Sequence, residues 1–192
     1  KIIIGLSLVD GPVYKETDDC VGWNTELSET DIRGIGKFYP PTETATSGNG
    51  GQWGNWSNPV YCPIGPWAAG YQMRVEPSRG KGDDTALNAV TLYCKDKSGK
   101  ETGKILPHGG HWGNWYPRKD CPPGEFRTQF QLKVGPSQGG GSSDDTAANS
   151  VAFICSGGQR IEAAGGGGWG DWGAWQGGNF SGYAICGVRA KV

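Results

Sequence analysis

The sequence GGQWGNW at residues 50–56 decides the fold, because the chain uses this motif three times. It returns as GGHWGNW at residues 109–115 and as GGWGDW at residues 167–172. The first tryptophans of the three copies, Trp53, Trp112 and Trp169, lie 59 and 57 residues apart. A fixed period of this length is typical of one supersecondary unit used repeatedly, with each copy burying the apolar face of another. The sequence therefore predicts three related units.

Two strand signals follow each of the first two copies. Apolar and polar residues alternate at 71–75 and again at 130–134, which predicts strands with one face in the core. Apolar runs then match at 90–94 and 151–155, each after an Asp-Asp-Thr-Ala-x-Asn segment. With 35 glycines and nine tryptophans, the composition favours many short strands joined by tight turns and few or no helices.

The third copy stops early, because residues 189–192 align with residues 131–134 and no second strand follows. Either the chain is truncated, or the unmatched segment 1–47 supplies the missing strand from its apolar opening. We therefore expect a single domain over residues 1–192. Its repeats cover approximately 48–100, 101–160 and 161–192, the last being completed by the N-terminal segment or truncated.

Length and charge exclude several classes of function. A chain of 192 residues can bury a sizeable core in one domain. The formal net charge of -1 gives no basic excess, so we expect no nucleic-acid partner. No apolar run approaches the length of a membrane span. The chain begins with Lys1 rather than Met, which predicts a processed N-terminus.

The six cysteines indicate disulfides and therefore secretion. Cys62 and Cys94 bound the first repeat, and Cys121 and Cys155 bound the second. This matched placement predicts a Cys62–Cys94 and a Cys121–Cys155 disulfide, the alternative being six reduced thiols in a cytosolic protein. The two cysteines left over could pair by elimination, and they are Cys20 and Cys186.

Other short patterns either agree with secretion or indicate no further site. Two N-glycosylation sequons, at Asn55 and Asn179, fit a secreted chain. No Cys or His spacing suits zinc, and the glycine runs lack the Gly-Lys-Ser/Thr of a phosphate loop. His108 and His111 have no counterparts in the other repeats, which favours ordinary loop positions. We expect no metal and no cofactor.

Three Gly-Gly-x-Trp-Gly-x-Trp copies, Cys-Pro before one strand and Asp-Asp-Thr-Ala-x-Asn before another resemble the vitelline membrane outer layer protein I family. The resemblance covers residues 48–192. It implies a β-prism I fold, in which three antiparallel Greek-key sheets surround a pseudo-threefold axis. It also implies secretion, disulfides, a link to egg coats and extracellular fluids, and affinity for N-acetylglucosamine oligosaccharides with a transferase-like action on them.

The tryptophans are the first candidate site, because indole faces beside polar groups suit a ligand such as a sugar ring. If the indoles pack in the core, every copy needs one, whereas a single ligand site would need an indole in one copy only. The repetition therefore favours core packing. We therefore predict that the first tryptophan of each motif is a core residue and that the second is partly exposed. The ligand-binding candidates are Trp56, Trp115 and Trp172, with the acidic residues Asp83, Asp144 and Asp171.

The paired carboxylates Asp83-Asp84 and Asp144-Asp145 are the second candidate site. Glycosidases use two carboxylates about 5–10 Å apart. Adjacent residues of a strand point to opposite faces, so a working pair would come from different repeats, such as Asp84 with Asp145. The alternative is that each Asp accepts backbone N–H groups and fixes its own turn. A calcium cage is not evident.

Together, these patterns and the family resemblance predict a secreted, extracellular carbohydrate-binding or coat protein of the all-β, β-prism I class. Its partners would be glycans, N-acetylglucosamine-type glycans first, or extracellular coat proteins. One alternative is a glycosyl transferase or hydrolase on chitooligosaccharides, with Asp84 and Asp145 as catalytic residues. Another is a purely structural role in an egg coat or matrix. No oligomeric state follows from the sequence.

Overall fold

The computed structural model describes residues 5–12, 44–51, 54–63, 66–77, 85–136, 148–178 and 183–192. These residues form strands and connections, with no helix among them. The strands are β1 (Gly5–Pro12), β2 (Thr44–Thr46), β3 (Val60–Tyr61), β4 (Trp67–Val75), β5 (Leu87–Lys95), β6 (Glu101–Ile105), β7 (Asn114–Trp115), β8 (Lys119–Asp120), β9 (Arg127–Val134), β10 (Ala148–Cys155), β11 (Arg160–Glu162), β12 (Asp171–Trp172) and β13 (Tyr183–Lys191).

The strands form three antiparallel sheets, each built around one long pair. Sheet A has the order β2-β1-β13-β3, and sheet C has the order β11-β10-β9-β12. Sheet B has the order β6-β5-β4-β7, and β8 also pairs with β4. The long pairs are β1 with β13, β4 with β5, and β9 with β10.

One apolar core joins the three sheets. Leu8 and Ile185 enter it from sheet A, Leu92 from sheet B, and Leu132 and Phe153 from sheet C, all fully buried. Because all three sheets contribute buried side chains to one core, the sheets must surround that core as its walls. The architecture is therefore the all-β prism that the family resemblance implies, and the fold class is β-prism I.

The N-terminal strand pairs with the last strand of the chain. β1 runs antiparallel to β13 from the Gly5–Lys191 pair to the Pro12–Tyr183 pair, with a bulge at Val9/Asp10. This pairing favours completion of the third repeat by the N-terminal segment. The division into one domain with the stated repeat bounds stays a proposal.

Disulfides connect neighbouring sheets. Cys62, whose amide donates to the carbonyl of Cys186 in sheet A, is bonded to Cys94 in β5 of sheet B. Cys121, whose amide donates to a carbonyl of β4, is bonded to Cys155 in β10 of sheet C. Both pairs are those that the matched spacing predicts. Cys186 is also disulfide-bonded, but its expected partner Cys20 lies outside the described residues.

Candidate functional site

Each Gly-Gly-x-Trp-Gly-x-Trp segment, which we call a tryptophan turn, pairs with the sheet of a different repeat. The second turn contributes β7, which pairs with β4 of sheet B, and the third contributes β12, which pairs with β9 of sheet C. The first turn reaches sheet A through a bridge. The three repeats therefore interlock, and the equivalent cross-strand pairs are Trp115 with Arg74, Trp172 with Lys133, and Trp56 with Lys191.

Glycine is required where a turn meets its strand. Gly113 has a φ of 83°, and a Cβ there would lie 2.2 Å from the carbonyl oxygen of Val75. Gly170 has a φ of 88°, and a Cβ there would lie 2.2 Å from the carbonyl oxygen of Val134. The backbone of each turn is thus pressed against the strand in a conformation that only glycine adopts readily.

A basic side chain from the central strand holds each turn. Arg74 donates from Nε to the carbonyl of Gly113 and from Nη1 to that of Gly110, both at 3.0 Å. Lys133 donates to the carbonyls of residues 167 and 168 at 3.2 and 3.1 Å. Lys191 donates to the carbonyl of Gly51 at 3.1 Å. Charge-assisted bonds of this kind fix the turns against the sheets.

The prediction that the first tryptophan of each motif is a core residue is wrong for the two that the structure describes. Trp112 is 58% exposed and Trp169 is 72% exposed. The reason is geometric, because the glycines occupy the inner side of the turn and leave the indole on the solvent side. The remaining copy, Trp53, lies outside the described residues.

The second tryptophans are partly exposed, as predicted, but they differ in their surroundings. Trp115 is 41% exposed, whereas Trp56 and Trp172 are half-buried. The guanidinium of Arg189 lies 4.6 Å from the ring of Trp56, and that of Arg160 lies 5.1 Å from the ring of Trp172. Cation–π contacts of this kind cover part of the indole face.

The acidic pairs Asp83-Asp84 and Asp144-Asp145 lie outside the described residues, so their roles stay predictions. The end of the first acidic segment is described, and it shows a carboxylate that the sequence did not indicate. Glu76 is buried and accepts hydrogen bonds from the hydroxyl of Thr85 at 2.6 Å and from its amide at 3.3 Å. Alternation along β4 would have placed Glu76 on the solvent side.

The other predicted residues are scattered. Asp171 is exposed in β12, next to the half-buried Trp172. Asn55 is exposed beside the C-terminal residue, and the second sequon residue, Asn179, lies outside the described residues. His108 and His111 lie in the connection between β6 and β7, as expected. Within the described ranges, no group of three or more His, Cys, Asp or Glu could hold a metal ion.

An ion-pair cluster on sheet B was missed at the sequence level. Arg118 donates to both carboxylate oxygens of Asp120, at 2.8 and 2.6 Å, and to Glu101 at 2.6 Å. Its guanidinium lies 3.9 Å from the ring of Tyr93, and Lys95 lies 3.1 Å from Asp120. Burial alone would raise the pKa of Asp120, but hydrogen bonds from Arg118 and Lys95 outweigh it and lower that pKa.

These observations define a class: disulfide-linked, all-β prism proteins whose three repeats interlock through tryptophan turns. The profile of the family described as vitelline membrane outer layer protein I matches residues 43–192. The chain belongs to this family. No helix in the described part of the chain is long and apolar enough to cross a membrane.

Two relatives carry the same description. The mouse vitelline membrane outer layer protein 1 homolog is 40% identical over 146 residues, covering 75% of this chain and 70% of the mouse protein. The human homolog is 38% identical over 147 residues, with the same coverage of each chain.

Two lectins of known structure are similar at lower identity. One is a prostate-specific WGA16 glycoprotein lectin, 15% identical, with a TM-score of 0.45, covering 74% of this chain and 92% of the lectin. The other is a mannose-binding jacalin-related lectin from Ananas comosus, 16% identical, with a TM-score of 0.38, covering 73% and 92%.

Proposed function

We propose that this chain is a secreted, lectin-like protein of an extracellular coat that binds N-acetylglucosamine-type glycans through its tryptophan turns. The observation that carries the proposal is the exposure of Trp112 and Trp169 on turns whose backbone is fixed. Each of these large aromatic side chains lies on the solvent side of a turn that close glycine contacts and a basic side chain hold in place. A flat indole face matches the apolar C–H face of a pyranose ring.

Rigidity of the turns supports this role. The Arg74 and Lys133 side chains and the close glycine contacts hold the backbone on either side of Trp112 and Trp169. A ligand that stacks on a preorganised ring loses less free energy to the ordering of the protein. Polar side chains at the same turns, such as His111 and Asp171, are exposed and available to the hydroxyl and amide groups of a sugar.

The repeated turns also favour a multivalent ligand. Trp112 belongs to the turn on sheet B and Trp169 to the turn on sheet C, so the two indoles belong to different walls of the prism. Weak sites that share one molecule gain apparent affinity for a repetitive glycan surface through effective concentration. A coat built from many identical sugars is such a surface.

Extracellular localisation is supported by three observations. The Cys62–Cys94 and Cys121–Cys155 disulfides are typical of oxidising compartments. The sequon residue Asn55 is exposed, and we expect glycosylation there and at Asn179. The relatives are named for the outer layer of the vitelline membrane, an egg coat.

A glycan array with the intact protein, with and without chelator, tests the proposal. We expect binding to N-acetylglucosamine oligomers that survives chelation, and a large loss in the Trp112→Ala, Trp169→Ala double variant. Lys104→Ala is the control, because Lys104 is exposed on β6 and lies outside the tryptophan turns. Equal binding by the double variant and the control would contradict the proposed site. No glycan binding by the wild type would shift weight to a purely structural coat role.

A catalytic role for Asp84 and Asp145 is a separate proposal. It predicts that Asp84→Asn or Asp145→Asn abolishes turnover of chitooligosaccharides while the unfolding temperature is unchanged. Turnover that persists in both variants would remove these two residues as the acid and base.

A further inference from the structure

A cleft of about 470 Å³ opens at the end of sheet B that carries the Cys121–Cys155 disulfide. One wall is the turn between β5 and β6, residues 95–99, and the other is the connection from β8 to β9, residues 120–126. Ala69 of β4 also lines the cleft. The volume falls within the range of small-molecule sites, and the cleft contains none of the tryptophan turns.

Both walls are held in place without a ligand. The Asp96 carboxylate accepts from the amide of Ser98 at 2.9 Å, from its hydroxyl at 2.6 Å and from the amide of Lys100 at 3.0 Å. On the other wall the amide of Cys121 donates to Ala69 at 2.8 Å, and the disulfide fixes the same residue. The cleft is therefore preorganised, which lowers the entropic cost of filling it.

The charged side chains of this cleft come from two neighbouring repeats, Lys95, Asp96 and Lys97 from the first and Asp120 and Glu125 from the second. In sheet C the corresponding turn is Ser-Gly-Gly-Gln at residues 156–159, and Glu125 fills the space beside Gly157. In sheet B, Asp120 is the cross-strand partner of Gly70. At the equivalent pair in sheet A, Tyr61 is the partner of Gly187. Packing of the prism requires features that recur in every repeat. At these described positions, the turn of sheet C and the Tyr61–Gly187 pair of sheet A carry none of the charges found on sheet B, so the common fold does not require those charges.

Lys95 and Asp120 place donors and an acceptor side by side in the cleft. The Lys95 ammonium lies 3.1 Å from Oδ1 of Asp120, its partner among the described residues, so two of its three N–H groups remain for a ligand. Arg118 already pairs with both oxygens of Asp120. The carboxylate of Asp120 thus keeps its orientation. Its Oδ2 accepts one hydrogen bond from Nε of Arg118 and retains a lone pair for a ligand hydroxyl.

We propose that this cleft is a second saccharide site, which recognises a vicinal pair of hydroxyl groups on an uncharged sugar. Lys95 donates to the oxygen of one hydroxyl, and the neighbouring hydroxyl donates to Asp120. Charges of both signs line the cleft, two lysines with three carboxylates, which favours a neutral, polar ligand over an ionic one. The inference takes its ligand class from the proposed function, but it places the ligand away from the tryptophan turns.

Titration with the methyl glycoside of N-acetylglucosamine tests the site, because this sugar carries vicinal hydroxyls at C3 and C4. Backbone amide NMR signals of Ser98, Gly99 and Glu125 report on the cleft, and the indole N–H signals of Trp112 and Trp169 report on the turns. We expect the cleft amides to shift with the sugar and not with its 4-deoxy analogue, which lacks the hydroxyl pair.

Lys95→Met removes the donor and leaves the Arg118–Asp120 pair intact, and Lys104→Met on the same hairpin is the matched control. We expect Lys95→Met to weaken binding at the cleft about tenfold or more, the loss of a charge-assisted hydrogen bond, and Lys104→Met to bind as the wild type does.

The outcomes separate this inference from the proposed function. Shifts of the indole signals without shifts of the cleft amides would overturn the second site and leave the tryptophan turns in place. Shifts of the cleft amides alone would support it and count against the turns. Unchanged binding by Lys95→Met, or an equal response to the 4-deoxy sugar, would also overturn it.

Discussion

Arg127 lies fully buried at the start of β9, with its guanidinium 4.4 Å from the ring of Tyr71 and 4.5 Å from that of Phe153. It donates to the carbonyls of Ala69 and Lys119, and the part of the chain that the structure describes gives its Nε and Nη1 no partner. Burial lowers the pKa of Arg127 to about 9. The aromatic faces offset part of the cost of burying this cation, and nothing in its sequence context indicated burial.

Tyr71 gives a pH prediction at the same place. Burial raises the pKa of its hydroxyl from 10.0 to about 12, and the hydroxyl donates to the carbonyl of Val151 at 3.0 Å. Because the pKa is higher in the folded state than in the unfolded state, the protonated Tyr71 hydroxyl contributes fully to stability below pH 10. This contribution is lost as pH rises toward 12. Arg127 has a lowered pKa, so its titration above about pH 9 acts in the opposite direction.

The comparison of wild type with Tyr71→Phe isolates the tyrosine. We expect the variant to be less stable at neutral pH, because two buried hydrogen bonds are lost, one to the carbonyl of Val151 and one from the amide of Ala163. We also expect the difference between the two proteins to shrink between pH 10 and 12. Urea unfolding at several pH values measures this difference, and a constant difference across that range would refute the assignment.

Gly113 gives a steric prediction. Gly113→Ala would bring a Cβ to 2.2 Å from the carbonyl oxygen of Val75, in a backbone with a φ of 83°. Gly99→Ala is the matched control, because Gly99 has the same φ and nothing within 4 Å of the added carbon. The backbone strain of about 1–2 kcal/mol is common to both. Thermal unfolding should therefore show a larger loss for Gly113→Ala, and equal losses would mean that the turn does not press on β4.

At the scale of the elements, the tryptophan turns link the three sheets. Each turn is covalently part of one repeat and pairs with the central strand of another. The repeat period predicted that the copies would pack together. It did not show which copy pairs with which sheet, because short turn strands of two residues carry no register signal of their own.

Lys133→Met should loosen one turn and leave the others in place. The side chain loses its hydrogen bonds to the carbonyls of Gly167 and Gly168, at a cost of about 0.5–1.5 kcal/mol each. Hydrogen exchange should become faster at residues 167–172 and stay unchanged at residues 109–115. Arg74→Met is the reciprocal control, with the opposite pattern. Equal effects of either variant on both turns would show that the turns are not held independently.

At the scale of the whole molecule, disulfides and a common core hold three walls together. Cys62–Cys94 connects sheet A to sheet B, and Cys121–Cys155 connects sheet B to sheet C. The bridged residues are 32 and 34 apart in sequence. Bridges of this length stabilise by restricting the unfolded chain, by about 3–4 kcal/mol each. Because the two loops are similar in length, we expect the two disulfides to contribute similar free energies of unfolding.

Removal of either disulfide should have nearly the same effect. Two double variants each remove one bridge: Cys62→Ala with Cys94→Ala, and Cys121→Ala with Cys155→Ala. We expect both to lose comparable free energies of unfolding, about 3–4 kcal/mol. Urea unfolding of both variants beside the wild type measures this. A much larger loss for one pair would mean that the bridge fixes native geometry in addition to restricting the unfolded chain.

The sequence by itself determined the all-β class, the three repeats, the two disulfide pairs and the strands 71–75 and 130–134, because period and alternation record interactions that recur within each copy. Only the tertiary structure decided that Trp112 and Trp169 face solvent, that Glu76 and Arg127 are buried, and that Lys95 and Asp120 meet in a cleft. The exposure of a side chain depends on which segment of another repeat packs beside it, and that information is distributed over residues far apart in the chain.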